Sequence, residues 1–401
     1  MNRDANASSV ATARFHRSRA FHRLLVGAAL ALLALHGGAA HARTYSVPCD
    51  DAALLGVLGT VETNGEEDVL WLAESCTYTL DFPWIVDADG GFPEGFPVTV
   101  HGRNATISGS DEHPVFVVNP TAVLFLNGVT VKEGASDGDG GAIQNLGALT
   151  LTDSAVSDSR ASRGGGIYNF VNGRLTLVRS VVSGNATTSY GGGIHNRGRL
   201  TLIDSTVSGN SVTNGDGNGG GIYSAGASAR ATLTNSTISG NASRFGAGVF
   251  NDEAVMVISH ATITDNTATG GGNGSGIYHR NYFGGGSLKL GNSIVANGAA
   301  EFGGASECVR DPNLPSVAIT PSGGNLVEDG SCEVAGALSG DPLLGPATGV
   351  PAHRPLLPGS PAVDAGANAR CAGTDQRGAP RPVDGDREGT AVCDLGAYEL
   401  P

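Results

Sequence analysis

A residue with an aromatic or imidazole ring recurs at one position of a repeated phrase, Gly-Gly-x-Ile-Tyr-Asn, in the middle of the chain. Successive side chains of an extended strand point to opposite faces, so the residue after a buried Ile points outward. With repeats stacked about 4.8 Å apart, the rings form a ridge of roughly 20 Å, which suits sugar rings or a partner's apolar surface. The alternative is a ladder that stabilises neighbouring repeats by ring contact. The predicted binding residues are Tyr168, His195, Tyr223, Phe250 and Tyr278.

Acidic turns are the second candidate site. The segment DGDREG at 384–389 places carboxylate oxygens at alternate positions, and oxygen ligands are the ones that calcium prefers. We therefore predict a calcium site at Asp384, Asp386 and Glu388, and no other cofactor. The alternative is an ordinary turn without metal, because Asp and Gly are common turn residues.

Recognisable catalytic patterns are absent from the sequence. It contains no Gly-x-Ser-x-Gly, no His-Glu-x-x-His and no phosphate-binding loop motif, and its adjacent aspartates are Asp50 and Asp51, outside the repeats. We expect a protein that is not an enzyme. Catalysis stays open as an alternative, since a pair of carboxylates can act on a glycan without any sequence motif.

A second repeated phrase indicates the elements that must position these residues. Leu-Thr-Leu-x-x-Ser-x-Val-Ser begins at Leu149, Leu175 and Leu200, and related phrases follow at Ala231 and Met256. Its alternation of apolar and small polar residues is typical of a strand with one buried face. One unit of 25 to 32 residues is too short to bury that face alone, so the units must stack. The pattern predicts an all-β fold, a right-handed parallel β-helix over residues 106–300.

Two further features of the repeats have structural consequences. The asparagines that end the phrases, Asn185, Asn210, Asn241 and Asn266, are expected to form a ladder that bonds backbone groups at the corners. The longer repeats contain extra residues, among them HRNYFGG at 279–285, and such insertions bulge out as loops, often on a functional face.

The ends of the stack require covering segments, because an exposed last strand promotes aggregation. Residues 43–105 are predicted to form an N-terminal cap with the first strands, including a short helix after Asp50 and Asp51. Residues 301–401 are expected to cover the other end. All six cysteines lie in these segments, and pairing of sequence neighbours is the simplest of the 15 possible connectivities. The candidates are Cys49, Cys76, Cys308, Cys332, Cys371 and Cys393.

The first 42 residues are typical of a signal peptide. Four arginines between positions 14 and 23 precede a short apolar segment at 24–35, and Ala40-His41-Ala42 fits a cleavage site. Cleavage after Ala42 removes five Arg and one Asp, which changes the formal charge from −14 to −18. We expect an exported protein, secreted, periplasmic or at the cell surface, without a transmembrane span after cleavage. The negative charge disfavours nucleic acid as a partner, and it disfavours an acidic polysaccharide unless metal ions bridge the two. The partners that we expect are a carbohydrate or a surface protein.

Three C-terminal segments resemble the signature of bacterial choice-of-anchor Q proteins. They are PLLPGSPAVDAG (355–366), DQRGAPRP (375–382) and CDLGAYE (393–399). The repeats are similar to those of polymorphic outer-membrane proteins. The resemblance implies an exported solenoid of the pectate-lyase-like type. Arg377 and Arg381 within this signature are expected to form ion pairs with Asp375, Asp394 or Glu399.

Three functions are compatible with these observations. The first is a non-enzymatic exported protein that acts in surface adhesion or in glycan or protein binding. The second is a polysaccharide lyase or hydrolase with an unrecognised site, which a cleft with converging carboxylates would favour. The third is a purely structural surface protein.

Overall fold

The structure is a computed structural model that describes residues 42–61, 66–87, 96–302, 306–311 and 318–401. The predicted signal peptide lies outside these residues, except for its last residue, Ala42. No helix in the described part of the chain is both long and apolar enough to cross a membrane.

The described strands form three sheets. The first contains 19 strands in two limbs, joined because β5 (Val98–Ser108) and β7 (Val123–Lys132) run through both. The other strands of the first limb are β1 (Arg43–Val47), β2 (Asp68–Leu72), β9 (Ala148–Thr152), β13 (Arg174–Val178), β17 (Arg199–Ile203), β21 (Arg230–Thr234), β25 (Val255–Ser259), β29 (Ser287–Gly291) and β33 (Ile319–Pro321). Those of the second limb are β3 (Thr77–Thr79), β10 (Ala155–Ser157), β14 (Val181–Ser183), β18 (Thr206–Ser208), β22 (Thr237–Ser239), β26 (Thr262–Thr264), β30 (Ser293–Ala296) and β34 (Asn325–Val327).

The other two sheets lie on the remaining sides of the turns, and the third contributes to six of them. The second sheet has nine strands: β4 (Trp84–Val86), β6 (Phe116–Val118), β8 (Ile143–Asn145), β12 (Ile167–Asn169), β16 (Ile194–Asn196), β20 (Ile222–Ala225), β24 (Val249–Asp252), β28 (Ile277–Arg280) and β32 (Cys308–Arg310). The third has six: β11 (Arg160–Arg163), β15 (Ala186–Tyr190), β19 (Ser211–Val212), β23 (Ala242–Phe245), β27 (Thr267–Asn273) and β31 (Ala299–Ala300).

Equivalent positions of successive repeats pair in register. Leu175 lies between Leu149 and Leu200 in the first limb, and Ile194 lies beside Ile222 in the second sheet, in parallel ladders. These apolar side chains point into the core and are at most 1% exposed. A fully buried Leu or Ile stabilises the fold by about 1.5–3 kcal/mol relative to an exposed one. The predicted all-β parallel β-helix is confirmed by this topology.

The β-helix is longer than the repeat phrases indicate. Parallel pairing already begins between β1 and β2 and continues to β33 and β34, on both sides of the predicted limits 106–300. The outer turns keep the inward apolar residues but lack the Gly-Gly and Asn phrases, so the sequence pattern did not identify them as repeats.

The asparagine ladder is confirmed as a structural element of the corners. Asn210 is fully buried, and its side-chain oxygen accepts a 3.0 Å hydrogen bond from the backbone N–H of Asn185. Its Nδ2 donates to the carbonyl oxygen of Val182 (2.9 Å) and to Oδ1 of Asn241 (3.0 Å). Each amide therefore satisfies buried backbone groups that a tight corner would otherwise leave unpaired.

The N-terminal end is covered by helix α1 (Asp51–Val61), as predicted. Asp50 caps this helix, because its Oδ1 accepts a 2.8 Å hydrogen bond from the N–H of Ala53. Leu54 and Leu58 face the core of the β-helix. A disulfide joins Cys49, just before the helix, to Cys76.

The C-terminal segment corrects our expectation that residues 301–401 cover the end of the stack. A disulfide joins Cys308 to Cys332, and the region around Cys332 and Val334 packs on the end of the core. The remaining residues, 341–401, instead lie along the outer side of the second limb. We call this segment the C-terminal strap.

Contacts far apart in sequence hold the C-terminal strap against the β-helix. Gln376 bonds to Thr206 and Thr237, the N–H of Ala397 donates to Oγ1 of Thr262, and the N–H of Gly396 donates to the carbonyl oxygen of Asn292. The strap is closed by the disulfide Cys371–Cys393, so all three disulfides join sequence neighbours.

Arg377 and Arg381 of the strap form the predicted ion pairs. Arg377 lies 2.7 Å from Oδ2 of Asp375, and Arg381 lies 3.4 Å from Oε2 of Glu399. Burial raises the pKa of the neighbouring Asp394 carboxyl to about 7 and lowers the pKa of the Arg381 guanidinium. These ion pairs join segments of the strap to one another.

Candidate functional site

The predicted ring ladder exists, but it is not an exposed platform. Ring centroids follow one another at 4.5 Å from Tyr168 to His195, 5.0 Å to Tyr223, 5.2 Å to Phe250 and 4.8 Å to Tyr278. The first four are only 1%, 4%, 5% and 1% exposed, and the last is half-buried. The expectation of a solvent-exposed ridge is therefore wrong.

Side chains from the adjacent corners cover the outer side of this ladder. Phe170 lies 4.3 Å from the Tyr168 ring, and Tyr190 lies 4.8 Å from the Tyr223 ring. Arg280 lies 5.3 Å from the centroid of Phe250. The rings fit the alternative that we stated, a ladder that stabilises neighbouring turns. A binding role for them stays an untested prediction.

Polar groups within the ladder are adapted to burial. The Tyr223 hydroxyl donates a 2.6 Å hydrogen bond to Oδ2 of Asp252, and Arg280 pairs with the same carboxylate at 2.7 Å. Burial lowers the pKa of His195 to about 3, and the positive charges of Arg163 and Arg197 add to this effect. His195 is therefore neutral at physiological pH and serves as a packed ring.

The acidic turn at 384–389 brings together a different set of carboxylates from the predicted one. Oxygens of Asp364, Asp384 and Asp386 lie within 4.8 Å of one another, whereas Glu388 contributes its backbone N–H to Asp384 and Asp386 at 3.0 Å. Asp364 is remote in sequence, so the motif could not reveal it. These oxygens already accept backbone hydrogen bonds, which also fits an ordinary turn. The calcium site stays a prediction.

A groove of about 450 Å³ lies on the outer side of the third sheet, near its N-terminal end. Its wall includes the hydroxyls of Ser136, Ser162 and Thr188. Three carboxylates, those of Asp111, Glu112 and Asp137, also line it, and Arg160 forms an ion pair with the first of them.

A second surface consists of the outward side chains of β2, β5, β7, β9, β13, β17, β21, β25 and β29 in the first limb, together with the loop 281–286; we call it the open face. The C-terminal strap covers the second limb, and among the described residues its hydrogen bonds to strand side chains go to that limb rather than to these outward side chains. Nine strands at about 4.8 Å spacing give the face a length of roughly 38 Å.

Hydroxyl groups run along the middle of the open face. They belong to four threonines in register on consecutive strands, so a row of donors and acceptors repeats at the strand spacing. The four are Thr150, Thr176, Thr201 and Thr232.

Exposed rings lie at both ends of the open face. Trp71 is 40% exposed and stacks on His101 at 4.0 Å. At the other end the loop presents Tyr282 and Phe283, which are 66% and 83% exposed. The loop was expected from the length of its repeat, but the position of its rings on this face was not.

Cations form the third row of the open face, and sequence reasoning missed them. Arg174, Arg199 and Arg230 occupy the same position of consecutive strands. Lys289 lies two strands further on, in register with the threonine row rather than with these arginines. The signal was present: an Arg stands directly before the phrases that begin at Leu175, Leu200 and Ala231.

The chain has a distant likeness to a known protein in structure but not in sequence. No protein-family model matches the chain, and no curated protein matches it in sequence. A solved structure described as pectate lyase Pel9A is 12% identical, with a TM-score of 0.49 over 91% of this chain and 98% of that chain. The strand topology itself defines the class, a parallel β-helix protein with disulfides.

Proposed function

We propose that this protein is exported and binds an extended glycan along the open face without cleaving it. The observation that carries the proposal is the pair of exposed rings at Tyr282 and Phe283. Large exposed apolar side chains are costly in water and mark interaction sites when they cluster, and aromatic rings pack well on the apolar faces of sugars.

The loop that carries these rings is held in place rather than free. Two reciprocal hydrogen bonds close the loop. The Asn281 Nδ2 donates to the Gly286 carbonyl oxygen at 3.0 Å, and the Gly286 N–H donates to the Asn281 Oδ1 at 2.9 Å. The N–H of Phe283 also donates to Oε1 of Glu253 at 3.2 Å. A fixed loop loses little conformational entropy on binding, which supports a binding role.

The rest of the open face suits a long carbohydrate chain. Its threonine hydroxyls can donate to and accept from sugar hydroxyls, and their spacing follows the stack of turns. Trp71 offers a second ring at the far end of the same face. A linear glycan lying parallel to the axis of the β-helix can contact all three features.

Export and family remain part of the proposal. The three disulfides favour an oxidising compartment outside the cytoplasm. The resemblance of the strap segments to choice-of-anchor Q proteins supports a role at a bacterial cell surface, where adhesion to a glycan is a useful activity. A purely structural surface protein is the competing account, and it predicts no glycan binding.

The groove on the third sheet favours a second candidate function, hydrolysis or elimination on a polysaccharide. Asp111, Glu112 and Asp137 line one concave surface together, and paired carboxylates are the usual acid and base in glycan cleavage. The ion pair between Asp111 and Arg160 occupies one of these groups, which is why we place this function second.

A single experiment separates these accounts. The purified chain is run through gels that contain different linear polysaccharides, and the same mixtures are assayed for reducing ends and unsaturated products. We expect retarded migration without cleavage. The double variant Tyr282→Ala/Phe283→Ala should lose most of the retardation, whereas Phe302→Ala, which removes a 75% exposed ring elsewhere, should not.

Two results would contradict the proposal. Release of new ends, abolished by Asp137→Asn, would establish the enzymatic alternative. Unchanged migration in every polysaccharide would leave the structural role as the better account.

A further inference from the structure

The open face segregates charge in an unusual way. The chain has 38 acidic and 24 basic residues, yet every charged residue at an outward position of β9, β13, β17, β21, β25 and β29 is a cation. Arg174, Arg199, Arg230 and Lys289 point outward there, and the other outward residues of these six strands are uncharged. Arg197 is exposed at the adjoining corner.

These arginines lack the partners that other arginines of the β-helix have. Arg163, Arg179 and Arg280 each pair with an aspartate one turn earlier, at 2.6 to 2.7 Å. Among the described residues, by contrast, no carboxylate pairs with the open-face cations, namely Arg174, Arg197, Arg199, Arg230 and Lys289.

The arrangement is unfavourable for the protein by itself. Arg199 lies directly between Arg174 and Arg230 in a parallel ladder, and like charges on adjacent strands destabilise a sheet. A ligand with negative charges at a similar spacing, about 4.8 Å or a multiple of it, would relieve the repulsion. Guanidinium groups are well suited to carboxylates and sulfates because they donate two parallel hydrogen bonds.

The cation row and the exposed rings belong to one surface. The backbone of Gly285 lies against Ala227, because a Cβ added at Gly285 would approach the Ala227 Cβ to 2.7 Å. Ala227 precedes Arg230 by three residues, and the Arg230 guanidinium donates to the Ala227 carbonyl oxygen at 2.8 Å. The loop that carries Tyr282 and Phe283 therefore adjoins the C-terminal end of the arginine ladder.

We infer that the ligand of the open face is an acidic glycan, a linear polysaccharide with carboxylate or sulfate groups that bind Arg174, Arg199 and Arg230 directly. This inference rests on the proposed function and names its substrate class. It differs from our expectation that an acidic polysaccharide needs bridging metal ions to bind this acidic protein, because the open face itself carries cations. A glycan fits better than a nucleic acid, because the disulfides indicate an oxidising compartment and the face offers hydroxyls between its terminal rings.

The test compares polymers with the same backbone. Affinity electrophoresis is performed with carboxymethylcellulose, cellulose sulfate and uncharged hydroxyethylcellulose, all in EDTA, with single-stranded DNA as a further probe. We expect retardation by one or both charged celluloses that weakens as salt is added, and at least about tenfold weaker binding to hydroxyethylcellulose. The two charged polymers distinguish carboxylate from sulfate recognition.

Matched variants locate the interaction. Arg199→Gln/Arg230→Gln should weaken binding to the charged polymer about tenfold or more. Arg370→Gln/Arg387→Gln, which removes the same charge from exposed positions of the strap, should leave it within about twofold. Arg199→Lys/Arg230→Lys keeps the charge and should give an intermediate loss.

Four results would overturn the inference. If hydroxyethylcellulose binds as tightly as the charged celluloses and Arg199→Gln/Arg230→Gln has no effect, the open face binds glycans without recognising their charge. Equal loss in both double variants would indicate a general electrostatic effect, and tighter binding of DNA would indicate a nucleic acid. Unchanged migration in all polymers would overturn this inference together with the proposed function.

Discussion

The hydroxyl of Thr237 donates a 2.6 Å hydrogen bond to the side-chain oxygen of Gln376, 139 residues further along the chain. The amide nitrogen of Gln376 in turn donates to Oγ1 of Thr206 at 3.0 Å and to the carbonyl oxygen of Ala352 at 3.2 Å. One side chain thus joins two turns of the β-helix to two points of the C-terminal strap.

Replacing Gln376 with Ala should therefore destabilise the whole protein. The change leaves two buried hydroxyls without this partner, so the free energy of unfolding should fall by about 2–3 kcal/mol, measured by urea denaturation. Gln144→Ala is the control. The half-buried Gln144 amide donates one hydrogen bond, to the backbone carbonyl oxygen of Asp139, and among the described residues it forms none with the strap. Equal losses in the two variants would mean that the strap contributes little to stability.

The two classes of aromatic residue should respond differently to truncation. Phe250→Ala removes a buried ring and should lower the free energy of unfolding by about 3–5 kcal/mol. Phe283→Ala removes an exposed ring and should change it by no more than about 0.5 kcal/mol, while glycan binding decreases. Thermal unfolding and affinity electrophoresis on both variants measure these effects. A destabilised Phe283→Ala variant would show that the loop serves the fold rather than binding.

Stability should depend on pH through Glu307. Burial raises the pKa of this carboxyl to about 7, and the nearby carboxylates of Asp329 and Glu328 act in the same direction. The folded state therefore holds a proton that the unfolded state releases near pH 4.5. The contribution of this proton to the free energy of unfolding is fully present below pH 4.5 and is lost as the pH rises through about 7. The free energy of unfolding should fall by about 1–3 kcal/mol over this range.

The variant Glu307→Gln tests this assignment. In this variant the melting temperature should decrease less between pH 5 and 8 than in the parent protein. Glu74→Gln, a change at an exposed carboxylate, should leave the dependence of melting temperature on pH unchanged. The buried Asp394 carboxyl has its pKa raised to about 7 as well, so part of the slope should survive. If the dependence of melting temperature on pH is unchanged in Glu307→Gln, Glu307 does not cause it.

Calcium should stabilise the strap if the predicted site binds it. The expected result is a melting temperature that rises with added calcium and returns on chelation, since a ligand of the folded state alone stabilises it. Asp384→Asn/Asp386→Asn should abolish the rise, and Asp364→Asn should reduce it, because the Asp364 carboxylate completes the cluster. A melting temperature that does not change when calcium is added would show that the segment is an ordinary turn.

Local periodicity made much of the fold predictable. The alternation in the phrases around Leu175 and Leu200 indicates strands, their repetition indicates stacking, and the asparagines that end them indicate corners. The helix after Asp50 was also predictable, because its acidic start and apolar run are local features. Such features are visible in sequence because each one depends on residues within about one turn of the chain.

The sequence alone determined the parallel β-helix and which side of each strand carries the rings, the hydroxyls and the arginines. Only the tertiary structure decided which of these remain in contact with solvent. The rings around Tyr223 are buried because Tyr190 and Arg280 come from neighbouring corners, and the second limb is covered because the strap returns along it. Exposure depends on contacts between residues far apart in the chain, and no local pattern records them.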